Sequence, residues 1–367
     1  MNRKEITIFM PALGGGGAER IVLNLIEGLI SEGIRVKLIL ATKHGILRDS
    51  IPNDVEVVDL GYSKTIFSLF SLAKYIRQNQ PNILLSHLHI ANRIAIAANI
   101  ISGKQTKVFV VSHSTISSVM AEYSLLNGFL SKLIYKLLYP KAYKIIHVSN
   151  GSARDLEKLF KWKNGTVSVA YNPVIRDKLL PDNMIYSPHP WFDDKRCPVI
   201  LGVGRLSRLK NFTLLLNAFA MLRDILDCRL IILGDGEQRK ELENQIQQLN
   251  LKDYVSMPGF VRNPMDYMNY ASVFALSSSR EALPTVLIEA LASGCPVVST
   301  DCPNGPREIL ENGKYGKLVP PDAPERLSQA IYKTIKKPPD RGMLKRRGMD
   351  FSIKNATRKY IEILELN

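Results

Sequence analysis

No stretch of the chain approaches the roughly 18 uncharged apolar residues of a membrane-spanning helix, so none is expected. The opening MNRKEITIFMPAL has charges but no apolar core leading to a small-residue cleavage site, which argues against a secretory leader. Cysteine is scarce. Cys197, Cys228, Cys295 and Cys302 form no CxxC pair and lie far from histidine, so no zinc site is expected. Reduced thiols in a cytosolic protein are the reading, ahead of a disulfide. The glycine run has the wrong spacing for two common nucleotide loops. Gly14 to Gly17 lead into Ala18-Glu19-Arg20, which is neither G-x-G-x-x-G nor a loop followed by Lys-Ser/Thr. That argues against a nicotinamide dehydrogenase and a P-loop ATPase. No helix-turn-helix, zinc finger or aromatic-rich basic groove is visible, so nucleic acid is not an expected partner.

What is present is a globular composition, 46% hydrophobic and 23% charged over 367 residues, long enough for two domains. Lys and Arg number 49 against 34 Asp and Glu, a formal net charge of +15. The excess is uneven, with 23 basic and 13 acidic residues in 1–190 and 26 and 21 in the remainder. A basic first half points to an anionic partner, either a membrane surface or a phosphorylated substrate.

Short β-branched runs alternate with helical periodicity, which predicts doubly wound parallel sheets. Seven runs fall in the first half: ITIFM (6–10), VKLILA (36–41), VEVVDL (55–60), ILLSHL (83–88), VFVVSH (108–113), KIIHVS (144–149) and TVSVAY (166–171). Six follow in the second: VILGVG (199–204), RLIILG (229–234), YVSMPG (254–259), SVFALSS (272–278), PVVST (296–300) and GKLVP (316–320). Between them, residues 173–198 carry five prolines and no clean period, and read as a linker. The expectation is two Rossmann-like α/β domains facing across a cleft, 1–172 and 199–350, with 173–198 between them. Residues 351–367 are expected as a helix packing back on the first domain. Ligands of such sheets bind at the carboxyl ends of the strands.

Three places carry candidate chemistry. The glycine run, Gly15 and Gly16 above all, lets backbone amides at a helix start approach a diphosphate. Arg205 stands just past a strand, and Lys210 precedes a helix that Asn211 can cap, so two cations sit where an anion would bind. In SSSREALPTVLIEALASG, Glu281 lies in the turn, Pro284 or Thr285 starts a helix, and Glu289 sits among apolar faces. The first amides of that helix point toward the strand end, where a phosphate fits.

The E-x7-E pair, the preceding GR-x4-K and GGGGAER together resemble the family 4 glycosyltransferases of the GT-B fold, across essentially the whole chain. The wording LPTVLIEALASG…TDCPNGPREIL is most similar to bacterial members that extend lipid-linked oligosaccharides or surface polysaccharides, N-acetylgalactosaminyltransferases of protein glycosylation among them. The resemblance implies retaining transfer from a UDP-sugar with no metal or other cofactor. It implies that Arg205 and Lys210 hold the donor diphosphate, helped by amides near Gly15, Gly16 and Leu283, Pro284, Thr285 and Val286. Glu281 then serves the transferred sugar and Glu289 the ribose, with the base near Gly234, Phe260 and Val261. His113 matches the family histidine that faces the donor sugar and acceptor, although His87 and His89 end a neighbouring strand and remain rivals. Ala282 stands where many relatives have glycine.

Residues 124–146 put Leu126, Phe129, Leu130, Leu133, Ile134 and Leu137 on one helical face beside Lys132 and Lys136, with Lys141 and Lys144 beyond. Such a helix either lies on an anionic membrane or packs its stripe on the sheet. The expected protein is thus a cytoplasmic glycosyltransferase, peripheral on the inner face of the membrane, acting on a polyprenyl-diphosphate-linked or other saccharide acceptor. A sugar-nucleotide epimerase of the same fold and a non-catalytic saccharide- or membrane-binding protein are the alternatives.

Overall fold

The computed structural model describes residues 4–103, 106–121, 125–176, 187–194 and 196–366. The chain divides into two compact units, Met1–Val174 with Ile353–Asn367, and Ile175–Ser352.

Unit 1 contains a seven-stranded sheet: β1 (Glu5–Met10), β2 (Arg35–Leu40), β3 (Glu56–Asp59), β4 (Ile83–His87), β5 (Lys107–Ser112), β6 (Lys144–His147) and β7 (Ser168–Val169). Their order is β3-β2-β1-β4-β5-β6-β7, and the pairings are parallel. The central strands are buried along their length, so the sequence reads as unbroken Val/Ile/Leu runs instead of alternation. Among the described residues, six helices follow the strands: α1 (Gly17–Ser31), α2 (Leu69–Asn79), α3 (His89–Ile101), α4 (Ile116–Ala121), α5 (Leu125–Leu138) and α6 (Asn150–Phe160). One apolar core joins β1, β4, β5 and β6 to the inner sides of α2, α3, α5 and α6, placing those helices on one face of the sheet.

Unit 2 repeats the plan with β8 (Val199–Val203), β9 (Arg229–Leu233), β10 (Val255–Gly259), β11 (Val273–Leu276), β12 (Val297–Thr300) and β13 (Lys317–Val319) in the order β10-β9-β8-β11-β12-β13. Its helices are α7 (Phe212–Arg223), α8 (Arg239–Gln248), α9 (Met265–Tyr270), α10 (Thr285–Ala292), α11 (Gly305–Ile309), α12 (Pro324–Lys336) and α13 (Arg341–Met349). The last helix, α14 (Ile353–Ile363), belongs to unit 1 and packs on α1. The contact is close: a Cβ placed on Gly28 would lie 2.0 Å from the Thr357 hydroxyl.

Every strand run expected from the sequence is a strand, shorter at its ends by a residue or two in most cases. The proline-rich segment is different. Residues 177–186 lie outside the described ones, but residues 187–194 fold onto unit 2. Phe192 is buried against Tyr267 and Tyr270, and His189 Nε2 meets Ser256 Oγ at 3.2 Å. Its aromatic residues find a core to join, so this half is not a free linker.

The stripe on α5 also departs from one of its two readings. Phe129 (69% exposed), Leu130, Leu133 and Leu137 face outward, while Ser131, Tyr135 and Tyr139 turn into the core. Ile134 is half-buried, and the Leu126 side chain lies outside the described ones. The Tyr135 and Tyr139 rings pack against each other tilted by 42°, centroids 4.5 Å apart, and supply the packing the leucines do not.

Candidate functional site

The carboxyl edge of the unit 2 sheet gathers the candidate donor residues. After β8, the chain turns through Gly204 and Arg205 and back to Lys210, and the Asn211 side chain accepts from the Leu214 amide to cap α7. Lys210 Nζ donates to Glu281 Oε1 at 2.5 Å, and the Ser278 hydroxyl donates to the same oxygen at 2.7 Å. The Glu281 side chain is only 12% exposed, so this pair lies in a partly dry recess where charge interactions weaken less than in open water. The backbone of Glu281 is fixed as well. Its amide donates to the Pro303 carbonyl at 2.9 Å and its carbonyl accepts from the Asn304 amide at 2.9 Å. Gly305 completes the clamp: a Cβ there would sit 2.7 Å from the Ala282 carbonyl oxygen and from Pro284 Cδ.

Arg205 behaves differently. Its guanidinium reaches Glu237 at 3.2 Å, and its side chain is 75% exposed. An exposed pair of this kind contributes little to stability. Beyond Glu281, α10 starts at Thr285 with Pro284 as N-cap, which supplies no side-chain acceptor to the first-turn amides. Val286 is on the same turn, Leu283 is buried just before it, and Glu289 is half-buried between Ile288 and Ala290.

The loops after β8, β9 and β10 are stitched together. The Gly204 amide donates to the Leu233 carbonyl at 3.0 Å, Leu206 to Asp235 at 2.9 Å, and Gly234 to Gly259 at 2.8 Å. Gly234 has φ +136°, and a Cβ there would meet the Gly204 carbonyl oxygen at 1.9 Å, so only glycine fits. Phe260, next to Val261 at the end of β10, is 68% exposed, an aromatic face turned outward at this edge.

The matching edge of unit 1 holds Gly15, Gly16 and His113. Gly15 takes φ +101° with the Ile46 side chain against it, and α1 begins just beyond without a side-chain cap. His113 follows β5, and its Nε2 lies 2.9 Å from Nδ1 of His87, the last residue of β4. His87 is fully buried, and so is His147 at the end of β6. Burial pushes His113 down to about 4, against the pull of the Asn172 side chain. Burial and then the charge of His113 take His147 down to about 3, and the same two causes hold His87 well below its ordinary value. Sequence reasoning treated His87 as a rival to His113. The structure makes it a partner, a relation that spacing along the chain does not reveal.

Lys132 and Lys136 are exposed on α5 and Lys141 is exposed beyond it. Lys144, grouped with them on sequence, is instead tied down. Its ammonium bonds Glu365 at 2.9 Å and the Ile363 carbonyl at 3.1 Å, because the residues after α14 run past the start of β6. Lys107, Lys144 and Tyr143 all bond Glu365, drawing its carboxyl down to about 2. The four cysteines are free and buried. Burial pushes Cys228, Cys295 and Cys302 up to about 12. Among the described residues, no helix is long and apolar enough to cross a membrane.

Two parallel-sheet Rossmann-like units, with a cation–carboxylate cluster at the carboxyl edge of the second, are the architecture of the GT-B fold class. Comparison with known proteins narrows this. Residues 15–178 match the family described as Glycosyltransferase Family 4, and residues 189–350 the Glycosyl transferases group 1. A Campylobacter jejuni enzyme is 33% identical over 89% of each chain: N-acetylgalactosamine-N,N'-diacetylbacillosaminyl-diphospho-undecaprenol 4-alpha-N-acetylgalactosaminyltransferase. A second Campylobacter jejuni protein, an alpha-1,4-N-acetyl-D-galactosaminyltransferase named for a diphospho-undecaprenol-linked saccharide, is 26% identical over 98% of each. Among solved structures, a glycosyltransferase from Rickettsia africae has a TM-score of 0.81 at 21% identity, covering 100% of this chain and 99% of its own. Anabaena HepE in complex with UDP and glucose has a TM-score of 0.77 at 21% identity over 100% of both chains. The chain belongs to the family 4 glycosyltransferases.

Proposed function

We propose that the protein moves an N-acetylhexosamine from a UDP-sugar to a lipid-linked saccharide, with retention at the anomeric carbon, during surface polysaccharide, lipopolysaccharide or glycan assembly. The Lys210–Glu281 pair carries this reading, because it couples an anion-binding cation to a carboxylate able to accept sugar hydroxyls. The Campylobacter relatives support the sugar and the acceptor class, being named as N-acetylgalactosaminyltransferases of diphospho-undecaprenol-linked saccharides.

In this reading the donor diphosphate takes Arg205 from Glu237 and Lys210 from Glu281, and the first amides of α10 add to its binding. Glu281, freed on one oxygen, accepts from hydroxyls of the sugar. Glu289 accepts from the ribose, and Phe260 stacks the base beside Gly234 and Val261. Gly15, Gly16 and His113 serve the sugar and acceptor side. The acceptor oxygen bonds to the anomeric carbon on the face from which the diphosphate departs. The carbon–oxygen bond to UDP breaks, and the acceptor proton passes to a diphosphate oxygen. Arg205 and Lys210 offset the charge that builds on the leaving group, so the reaction needs no metal ion.

A lipid-linked acceptor also explains α5. Phe129, Leu130, Leu133 and Leu137 point outward with Lys132 and Lys136, and Ile66, Phe67 and Phe70 are exposed where the chain enters α2, on the same side of the sheet. From residue 60 to 153 the chain has ten Lys and Arg but a single acid, Glu122. An apolar face almost free of carboxylates suits the anionic inner face of a membrane, to which the protein binds peripherally.

The test is a thermal-stability screen of UDP-N-acetylgalactosamine, UDP-N-acetylglucosamine, UDP-glucose and UDP-galactose. A bound donor at a hundredfold excess over Kd stabilises by about 2.7 kcal/mol, and Arg205→Ala should abolish the shift. No shift with any of the four in the native sequence overturns the donor reading.

A further inference from the structure

The histidine pair at the carboxyl edge of unit 1 is more than a packing detail. His87 is completely buried, yet among the described residues its one hydrogen bond is to His113, and its Nε2 has no partner. The two rings lie near parallel, 25° apart with centroids at 5.2 Å. For the fold alone an apolar side chain would suit this position better, since a buried imidazole with one nitrogen unpaired destabilises the core. The backbone beside it is strained as well. Leu88, directly after His87, adopts φ +73°, a conformation that a leucine rarely accepts. Strain of this kind persists only where neighbours over-determine it, and here they do. The Val111 carbonyl receives both the Leu88 amide at 3.3 Å and the Asn92 side-chain amide at 2.8 Å, fixing the end of β4 against β5.

We propose that His87 is a positioning residue for His113: the hydrogen bond between its Nδ1 and Nε2 of His113 holds that ring in one orientation at the edge of the sheet. The inference rests on the acceptor-side role given to His113 above.

Two polar replacements of similar size separate positioning from mere support. An asparagine at 87 places its amide nitrogen where Nδ1 was, whereas a glutamine amide reaches the Nε2 position and leaves His113 unbonded. We measure transfer from UDP-N-acetylgalactosamine to undecaprenyl-diphosphate-linked N-acetylgalactosamine. His87→Asn should stay within about threefold of the native kcat, and His87→Gln should fall on the order of tenfold. In a His113→Ala background, His87→Gln should add no further loss, because the residue through which it acts is gone. Equal rates for the two variants, or losses that multiply with His113→Ala, overturn the proposal. A native rate for His113→Ala instead overturns the role given to His113, and this inference with it. Nitrogen-15 spectra of the imidazoles, recorded without substrate, give a second readout. They should show the bond's proton on one of the two facing nitrogens, His87 Nδ1 or His113 Nε2, with the other a hydrogen-bonded acceptor; facing nitrogens with no hydrogen-bond shift overturn the pairing.

Discussion

Lys210 and Glu281, 71 residues apart in the chain, share a hydrogen bond of 2.5 Å at the edge of one sheet, and the cation thereby waits on a carboxylate that can be displaced. Removing either partner leaves the other partly buried and unpaired, so both losses should exceed those of a surface charge. Lys210→Ala should lower kcat/KM by about 100-fold or more, with most of the effect in the chemical step. Initial rates of UDP release decide this, and a change confined to KM would show that Lys210 binds without aiding departure.

Gly305→Ala offers a test of the loop behind that pair. A methyl group at 305 must displace the backbone at Ala282 and Leu283, carrying Glu281 with it. Overpacking of this kind costs about 1–3 kcal/mol, and a comparable fall in UDP affinity should accompany it. Calorimetric titration with UDP measures the affinity; unchanged binding would mean that the loop yields elsewhere.

Acid should weaken unit 1 before it weakens unit 2. His87, His113 and His147 are held below the ordinary value of 6.5, His113 near 4 and His147 near 3. The unfolded chain therefore takes up protons first as pH drops. Their contribution is complete above pH 6.5 and is lost as pH falls toward 4 and 3, at up to about 1.4 kcal/mol per pH unit for each histidine. Urea midpoints between pH 7.5 and 4.5 follow the loss, and His147→Gln should flatten the slope.

Much of this arrangement was legible in the sequence, and the exceptions have physical causes. Buried parallel strands declare themselves as β-branched runs, and the caps at Asn211 and the helix start at Thr285 are local signals. The His87–His113 bond joins the ends of two strands 26 residues apart, and no local pattern encodes it. The cluster at Ile66, Phe67 and Phe70 escaped because an apolar triplet at helical spacing ordinarily marks a core. The engagement of Lys144 by Glu365 escaped because the partner lies 221 residues away.

Membrane binding is open to a direct measurement. Lys132→Ala with Lys136→Ala should weaken binding to anionic phospholipid vesicles about thirtyfold, at about 1 kcal/mol per cation. Phe70→Glu and Phe129→Glu should each weaken it further at a given salt concentration. Sedimentation with neutral and anionic vesicles reads both effects, and equal binding by all variants would remove α5 and α2 from the contact.

Chelation separates the cation-assisted departure from a metal-assisted one. Transfer in excess EDTA should stay within about twofold of the untreated rate if, as proposed, Arg205 and Lys210 offset the charge on the leaving diphosphate. A loss restored by added magnesium or manganese would assign that charge to an ion.

The place of α14 has a bearing on how the chain is made. Its packing partner, α1, leaves the ribosome more than 300 residues earlier, and everything in unit 2 is synthesised between them. During that interval the groove along α1 beside Gly28 is bare, while the other face of the same sheet already has its helices. A nascent chain halted at the end of unit 2 would thus carry one finished domain and one with an open apolar flank, a natural grip for chaperones. Only when Thr357 settles over Gly28, and the Leu366 carbonyl reaches the Lys4 ammonium, does unit 1 close.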